Sequence, residues 1–283
     1  MIRTLCTCLC LLVAATLAIP DHLFAAPAAG ADKLRPHRAV YDLKLKTASD
    51  RSGILGLNGR IVYEMRGSHC EGYTTRFRFF TQVRTRSDSL TNDQQSSNFE
   101  SADGSSFNFV TKSFLNGQLE QDLRGEAQRS DDGLVVDLSK PEERSLELDE
   151  ALFMTQHIAA MIDAARREET FLTAKVFDGS EGGDQVIDTT AVIGKMRPDA
   201  TAIKGEEEDV AESFDGQTAW PVTVSYFSTT DEAVQSERLP IYTVSFLMHE
   251  TGVSRDLTMN YADYALKADL RQIDYFDEAQ DCE

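Results

Sequence analysis

The chain has 283 residues, with 28 basic against 47 acidic side chains and a net charge of −19 at pH 7. A surface this acidic repels polyanions, which argues against tracking along nucleic acid or electrostatic capture by anionic lipid headgroups. Hydrophobic residues make up 41% of the chain, enough for one large core or two small ones.

The N-terminus has the layout of an export signal. Arg3 gives a positive start, Leu5 to Ile19 carry no charge, and Ala25 and Ala26-Pro27-Ala28 offer small residues for cleavage. The apolar run is about 15 residues long, shorter than the ~20 a helix needs to cross a bilayer. Residues 1–25 are therefore expected to be a signal peptide, cleaved between residues 25 and 31. Cys6, Cys8 and Cys10 leave with it. No later segment is apolar enough to span a membrane, so residues 26–283 are expected to be a single soluble domain, and the export signal gives periplasmic as its expected location.

Alternation with period two dominates from there on. Tyr41, Leu43 and Leu45 share one face of Ala39 to Lys46, and Ile61, Tyr63 and Met65 share one face of Arg60 to Arg66. Tyr73, Phe77, Phe79 and Val83 continue the pattern after a Gly67 to Gly72 turn. Strand-like pieces follow at Phe107 to Phe114, Gln118 to Arg129 and Leu134 to Leu138. Then the period changes. Ala151, Met154, Ile158, Met161, Ile162 and Ala165 recur at helical spacing behind Asp149 as N-cap, predicting a helix of roughly 17–19 residues ending at Arg167.

Strands resume at Thr170 to Phe177, Gln185 to Lys195, Trp220 to Ser228, Ile241 to Glu250 and Gly252 to Leu270. Between them, residues 197–216 carry Glu206-Glu207-Glu208-Asp209 and little apolar content, the pattern of a mobile acidic loop. The expected fold is mainly β, with about a dozen or more strands and one long helix.

Two cysteines survive processing, Cys70 and Cys282. An even count in an oxidising compartment favours a disulfide over two free thiols or a metal pair. His69 beside Cys70 adds little to the metal reading, because adjacent residues on an extended chain point to opposite faces.

Other chemistries find weak support. Ile193-Gly194-Lys195 lacks the earlier glycine and the following hydroxyl of a phosphate-cradling loop. Asp178-Gly179-Ser180-Glu181-Gly182 has the outline of a nucleophile elbow but begins with Asp and reads as a hairpin turn. The same loop spaces oxygens at Asp178, Ser180 and Asp184 as a calcium loop does, but Thr189 stands where the closing carboxylate belongs. His157 falls near the helix stripe with no nucleophile implied beside it, so a structural, hydrogen-bonded histidine is the expectation. No catalytic residue, cofactor or metal site is expected. Ten aromatics fall on the inner face of the strands: Tyr41, Tyr63, Tyr73, Phe77, Phe79, Phe107, Phe109, Tyr242, Phe246 and Tyr264. Such a lining buries its own helix or, in a curved sheet, holds an apolar ligand.

Ordered along the chain stand His37-Arg38-Ala39-Val40-Tyr41-Asp42-Leu43, Gly56-Leu57-Asn58-Gly59-Arg60, Cys70-Glu71-Gly72-Tyr73, Phe177-Asp178-Gly179-Ser180 and Ile193-Gly194-Lys195. Trp220-Pro221-Val222, Ser225-Tyr226-Phe227, Leu239-Pro240-Ile241-Tyr242 and Asn260-Tyr261-Ala262-Asp263-Tyr264 complete the set. In these segments the chain resembles the EipB family of periplasmic cell-envelope integrity proteins of Gram-negative bacteria. The resemblance implies a spiral-like, open-barrel antiparallel sheet wrapped around a central helix, closed by a disulfide between Cys70 and Cys282. It implies a non-enzymatic role in envelope integrity and stress resistance. The expected partner is a periplasmic envelope protein or a cell-wall component; a lipid or lipoprotein acyl chain in the concave face is the alternative.

Overall fold

Fourteen strands run antiparallel in one continuous sheet in the computed structural model, which describes residues 34–180, 182–198, 203–228 and 239–277. The expected signal peptide, its cleavage region and Cys282 lie outside the described residues. In chain order the strands are β1 (His37–Ala48), β2 (Gly56–Ser68), β3 (Gly72–Arg84), β4 (Ser89–Glu100), β5 (Ser106–Leu115), β6 (Gln118–Ser130), β7 (Gly133–Lys140) and β8 (Arg144–Leu148). Helix α1 (Met154–Arg166) follows, then β9 (Phe171–Val176), β10 (Ile187–Ile193), the short α2 (Glu208–Glu212), β11 (Ala219–Ser228), β12 (Tyr242–His249), β13 (Ser254–Tyr261) and β14 (Tyr264–Tyr275).

The sheet order is β8 back to β1, then β14 back to β9. Every neighbour is a sequence neighbour except β1 beside β14, so two meanders are joined by pairing the first strand with the last. Short connections favour hairpins, and β1 satisfies backbone groups on both sides. Its inward residues are those the alternation selects: Ala39, Tyr41 and Leu43 are buried, whereas Lys44 and Lys46 are exposed.

The two edges of this strip are brought together by the segment that joins β8 to α1. Leu152 forms a parallel bridge to Val176 of β9; its amide donates to the Lys175 carbonyl at 2.8 Å, and Phe177 N donates to the Leu152 carbonyl at 2.9 Å. An ion pair between Lys175 and Asp149 lies beside it. Phe153 is fully buried and stacks on Phe107 with ring centroids 5.1 Å apart.

That closure corrects the helix boundary. The helix has 13 residues and starts at Met154 with Phe153 as its N-cap. Asp149 to Leu152 are spent on sheet pairing instead, and the Gln156 side chain accepts the Phe153 amide at 3.0 Å, capping the shortened helix. The segment expected as one strand from Gly252 to Leu270 is a hairpin, β13 and β14, which turns at Ala262-Asp263. Strands β4 and β8 were not anticipated in the sequence pattern.

The core has three parts. Met161, Ile162, Ala164 and Ala165 of α1 pack against Met65 and Tyr73 on one side and Ile193, Trp220, Val222 and Met248 on the other. The helix therefore bridges the inner faces of both meanders. Phe107, Phe109, Leu123, Val136 and Leu138 meet Phe153, Phe177 and Val186 where the strip closes. The third part joins β1, β2, β13 and β14 to Val210 and Phe214.

Those last two residues belong to the segment expected as a mobile acidic surface loop. Val210 and Phe214 are 2% and 0% exposed, and α2 stands on the inner sheet beside Leu266 and Leu270. Two apolar residues placed four apart, Val210 on the short helix and Phe214 just beyond its end, anchor the segment. A composition average over the surrounding acids conceals them.

Candidate functional site

Cross-strand partners share a face of the sheet, so the register decides which side chains look into the barrel. Tyr63 opposes Phe77, and Ile61 opposes Phe79, across β2 and β3. On the other meander Tyr226, Tyr242 and Tyr261 are successive partners across β11, β12 and β13. Their rings form a ladder with Tyr264, with centroids 4.4, 5.7 and 4.7 Å apart in order.

Of the aromatics expected on this face, Tyr41, Tyr73, Phe107 and Phe109 are core residues. Tyr63, Phe77, Phe79, Tyr242, Phe246 and Tyr264 keep part of their surface accessible. Tyr226 and Tyr261 belong with them but were missed. Extending the alternation of Trp220, Val222 and Val224 by one step reaches Tyr226, and Met259 does the same for Tyr261.

Depth and accessibility coexist here. Burial raises the Tyr63 phenol above its ordinary pKa, with the Glu100 carboxylate adding to it. Burial likewise raises Tyr226, helped by Asp178, and pushes Tyr261 up to about 12, helped by Tyr264. Yet Tyr63, Tyr226 and Tyr261 are only half-buried by surface.

The wall next to Phe77 and Phe79 is polar. Ser96 opposes Phe77 and Thr111, Gln94 opposes Phe79 and Ser113, and Asn98 opposes Thr75 and Phe109. Because Phe109 and Thr111 are buried, Gln94, Ser96 and Asn98 face inward too. The Asn98 Oδ1 is buried and has no hydrogen-bond partner among the described residues. Further along β4, Glu100 is buried and accepts the Thr155 amide at 2.9 Å, so it caps α1; burial raises its carboxyl pKa against that bond.

At the rim where β1 ends and β2 begins, apolar side chains reach solvent. Leu55 comes from the β1–β2 connection, Leu90, Leu115 and Leu119 stand at the adjoining ends of β4, β5 and β6, and Leu239 and Ile241 precede β12 at the same end. Scattered exposed leucines are ordinary, whereas a set gathered on one rim calls for a physical account.

His157 is 4% exposed, and its Nε2 lies 3.3 Å from Thr189 Oγ1. The Thr189 hydroxyl gives its own hydrogen to the Ala174 carbonyl at 2.9 Å, so it accepts from His157, whose proton then sits on Nε2. Burial lowers the imidazole pKa to about 4. This is a neutral histidine pinning the helix to β10, as the sequence suggests.

A second buried polar group was not foreseen. Arg255, 0% exposed, is paired with Glu206 through two contacts, one of 2.9 Å from Nε, and its guanidinium lies 4.2 Å from the Phe214 ring centroid. His249 is also 0% exposed, packs tilted against Phe214 with ring centroids 4.4 Å apart and has both ring nitrogens without a partner among the described residues. Burial, then the Arg255 charge, lowers its pKa to about 3.

Cys70 lies half-buried in the turn between β2 and β3. The Asp178 turn connects β9 to β10 as expected: Asp178 Oδ1 accepts Ser180 N at 2.8 Å. Its Gly179 has φ +68°, and a Cβ there would sit 2.5 Å from Phe109 Cγ. The glycine lets the turn close over the Phe109 ring, a packing reason for the residue that a nucleophile or calcium reading leaves out. Among the described residues no helix is long and apolar enough to cross a membrane, and no group of three His, Cys, Asp or Glu side chains is gathered to hold a metal.

Comparison with known proteins bears on this arrangement. The family model described as EipB-like matches residues 28–277. The cell envelope integrity protein EipB of Brucella abortus (strain 2308) is 43% identical over 254 residues, covering 89% of this chain and 88% of that protein. The crystal structure of a beta-barrel-like protein of domain of unknown function DUF1849 from Brucella abortus superposes with a TM-score of 0.81 at 42% identity, over 87% of this chain and 100% of that one.

Proposed function

The chain belongs to the EipB-like family, and we propose that it maintains cell-envelope integrity from the periplasm, without catalysis, through contacts with envelope proteins or the cell wall. The observation that carries this reading is the 43% identity, sustained over 89% of the chain, to a protein named for envelope integrity. Consistent with it, His157 is committed to Thr189 and His249 is sealed beneath Phe214, so neither imidazole is poised to take a proton from a substrate. A strain lacking the chain is expected to lose tolerance to detergents and to cell-wall antibiotics. Undiminished tolerance in a clean deletion contradicts the proposal.

A disulfide between Cys70 and Cys282 belongs to this reading as a clasp. β2 and β14 flank β1 and run in the same direction, since each pairs with it antiparallel. Both leave the sheet at the same end: Tyr275 and Met65 are the two partners of His37. Beyond Tyr275, Phe276 lies beneath the Arg66 guanidinium at 3.7 Å. Two strand spacings are about 10 Å, and five residues after Asp277 reach up to about 17 Å. The reach suffices for the second-last residue to meet the β2–β3 turn.

The inward aromatics favour a second reading, in which the concave face holds the acyl chain of a lipid or lipoprotein. Half-buried rings at Phe77, Phe79 and Tyr242 stand outside the helix cluster and offer accessible apolar surface. Native mass spectrometry of detergent-free protein tests it: a retained mass that extracts into organic solvent supports it, and protein without added mass argues against it.

A further inference from the structure

One wall of the interior has the wrong chemistry for a purely apolar ligand. Gln94, Ser96 and Asn98 of β4 face inward between the Phe77–Phe79 wall on β3 and Thr111–Ser113 on β5. Amides and hydroxyls on an inward strand face cost stability unless their hydrogen bonds are met. The buried Asn98 Oδ1 has no such partner among the described residues. A sheet selected only to bury its helix, or to hold a bare hydrocarbon, gains nothing from these side chains.

We propose that this strip receives the polar part of an uncharged amphiphile: an acyl chain joined to an amide- or hydroxyl-bearing linkage. The proposal rests on the acyl-chain reading above and names its ligand class. The chain would lie along β4, its hydrocarbon against Phe77 and Phe79 and its polar linkage against Gln94, Ser96 and Asn98. Asn and Gln each present both donors and an acceptor, which suits amides and hydroxyls rather than a single fixed charge.

Charge sets the rest of the selection. The strip holds no cation, and the inward row ends at the Glu100 carboxyl, next to Asn98 in the inward order along β4. An anionic headgroup would be desolvated there and would face that carboxyl, and the Arg129 guanidinium near Glu100 is already bonded to Glu150, Gln156 and the Gly104 and Ala151 carbonyls. Entry is from the rim. Leu90 stands at the start of β4 with Leu55, Leu115 and Leu119 around it, all 39% exposed or more. The outer end of the same strand is therefore greasy and its inner stretch is neutral and polar.

Calorimetric titration of the mature protein compares two probes below their micelle concentrations: monododecanoylglycerol, neutral with free hydroxyls, and dodecanoate, with the same chain and a carboxylate. The expected result is at least about tenfold tighter binding of the neutral probe, the worth of one strong hydrogen bond. Asn98→Leu and, as a milder change, Ser96→Ala should weaken the neutral probe several-fold and leave dodecanoate unchanged. Because Asn98→Leu removes a buried unpartnered oxygen, its melting temperature should not fall, which separates ligand recognition from a structural role. Equal binding of both probes, unaltered by either variant, overturns the polar strip while the acyl-chain reading stands. Binding of neither probe overturns both.

Discussion

Glu206→Ala is the perturbation whose consequence the structure defines most closely. Arg255 is 0% exposed and the Glu206 side chain is 4% exposed, so the pair is out of water. Removing the carboxylate leaves a buried guanidinium over the Phe214 ring and close enough to the His249 imidazole to depress its pKa. An uncompensated buried charge of this kind costs about 3–5 kcal/mol. With a denaturant slope of roughly 3 kcal/mol per molar urea, the unfolding midpoint should fall by about 1–1.7 M. The assay is urea unfolding followed by fluorescence of Trp220, the protein's single tryptophan, which is 4% exposed against the helix cluster. Replacing both partners, as Glu206→Ala with Arg255→Met, should recover most of the loss, because a buried pair exchanged for apolar groups is close to neutral. A single-variant change within about 0.5 kcal/mol, the range of ordinary surface substitutions, would refute the packing of this segment. So would a double variant whose loss is the sum of the two single losses.

Other consequences follow from the same geometry. Cys70→Ser should lower stability by up to about 5 kcal/mol, the chain-entropy figure for a loop of roughly 210 residues; thermal melting that is identical with and without reductant would show that no clasp exists. His157 has a folded pKa of about 4 against 6.5 for the free group, so the unfolded chain takes up the proton first as pH falls. Stability from this site is full above about pH 6.5 and is lost from there down towards about pH 4, some 2 kcal/mol of it by pH 5. His157→Gln keeps a donor towards Thr189 and should flatten that part of the pH profile; an unchanged slope counts against a buried neutral imidazole. Gly179→Ala should cost about 2–4 kcal/mol, from left-handed backbone strain plus the clash with Phe109. At Gly117, where φ is +79° and nothing lies within 4 Å of the added Cβ, the same substitution should cost only the backbone term, about 1 kcal/mol. Equal melting temperatures for the two alanine variants would remove the packing explanation.

Much of this fold is legible in the sequence because an antiparallel sheet with one buried face writes itself as alternation. β1, β2, β3 and β11 are readable for that reason. β4 is not: Ser-Leu-Thr-Asn-Asp-Gln-Gln-Ser-Ser-Asn-Phe-Glu is polar on both faces, so no period stands out although the strand lies mid-sheet. The same polarity makes its inward face the most informative wall of the candidate site. Strand β8 escapes because its five residues are short and mostly exposed. The helix start was misplaced since apolar spacing at Ala151 fits a helix, whereas Leu152 is claimed by the edge of β9. Residues 203–216 illustrate tertiary context overriding composition: Val210 and Phe214 are few among acids, yet they and the Glu206–Arg255 pair dock the segment on the core. No local rule pairs Glu206 with a residue 49 positions away.

Complementation decides whether this chain sustains the envelope from the periplasmic side. A deletion strain is supplied either with the full chain or with one lacking residues 1–25, and survival is counted on detergent and on a cell-wall antibiotic. The full chain should restore survival, and the truncated chain, present at equal abundance, should not. Equal restoration by both, or by neither, would contradict a role on the periplasmic side.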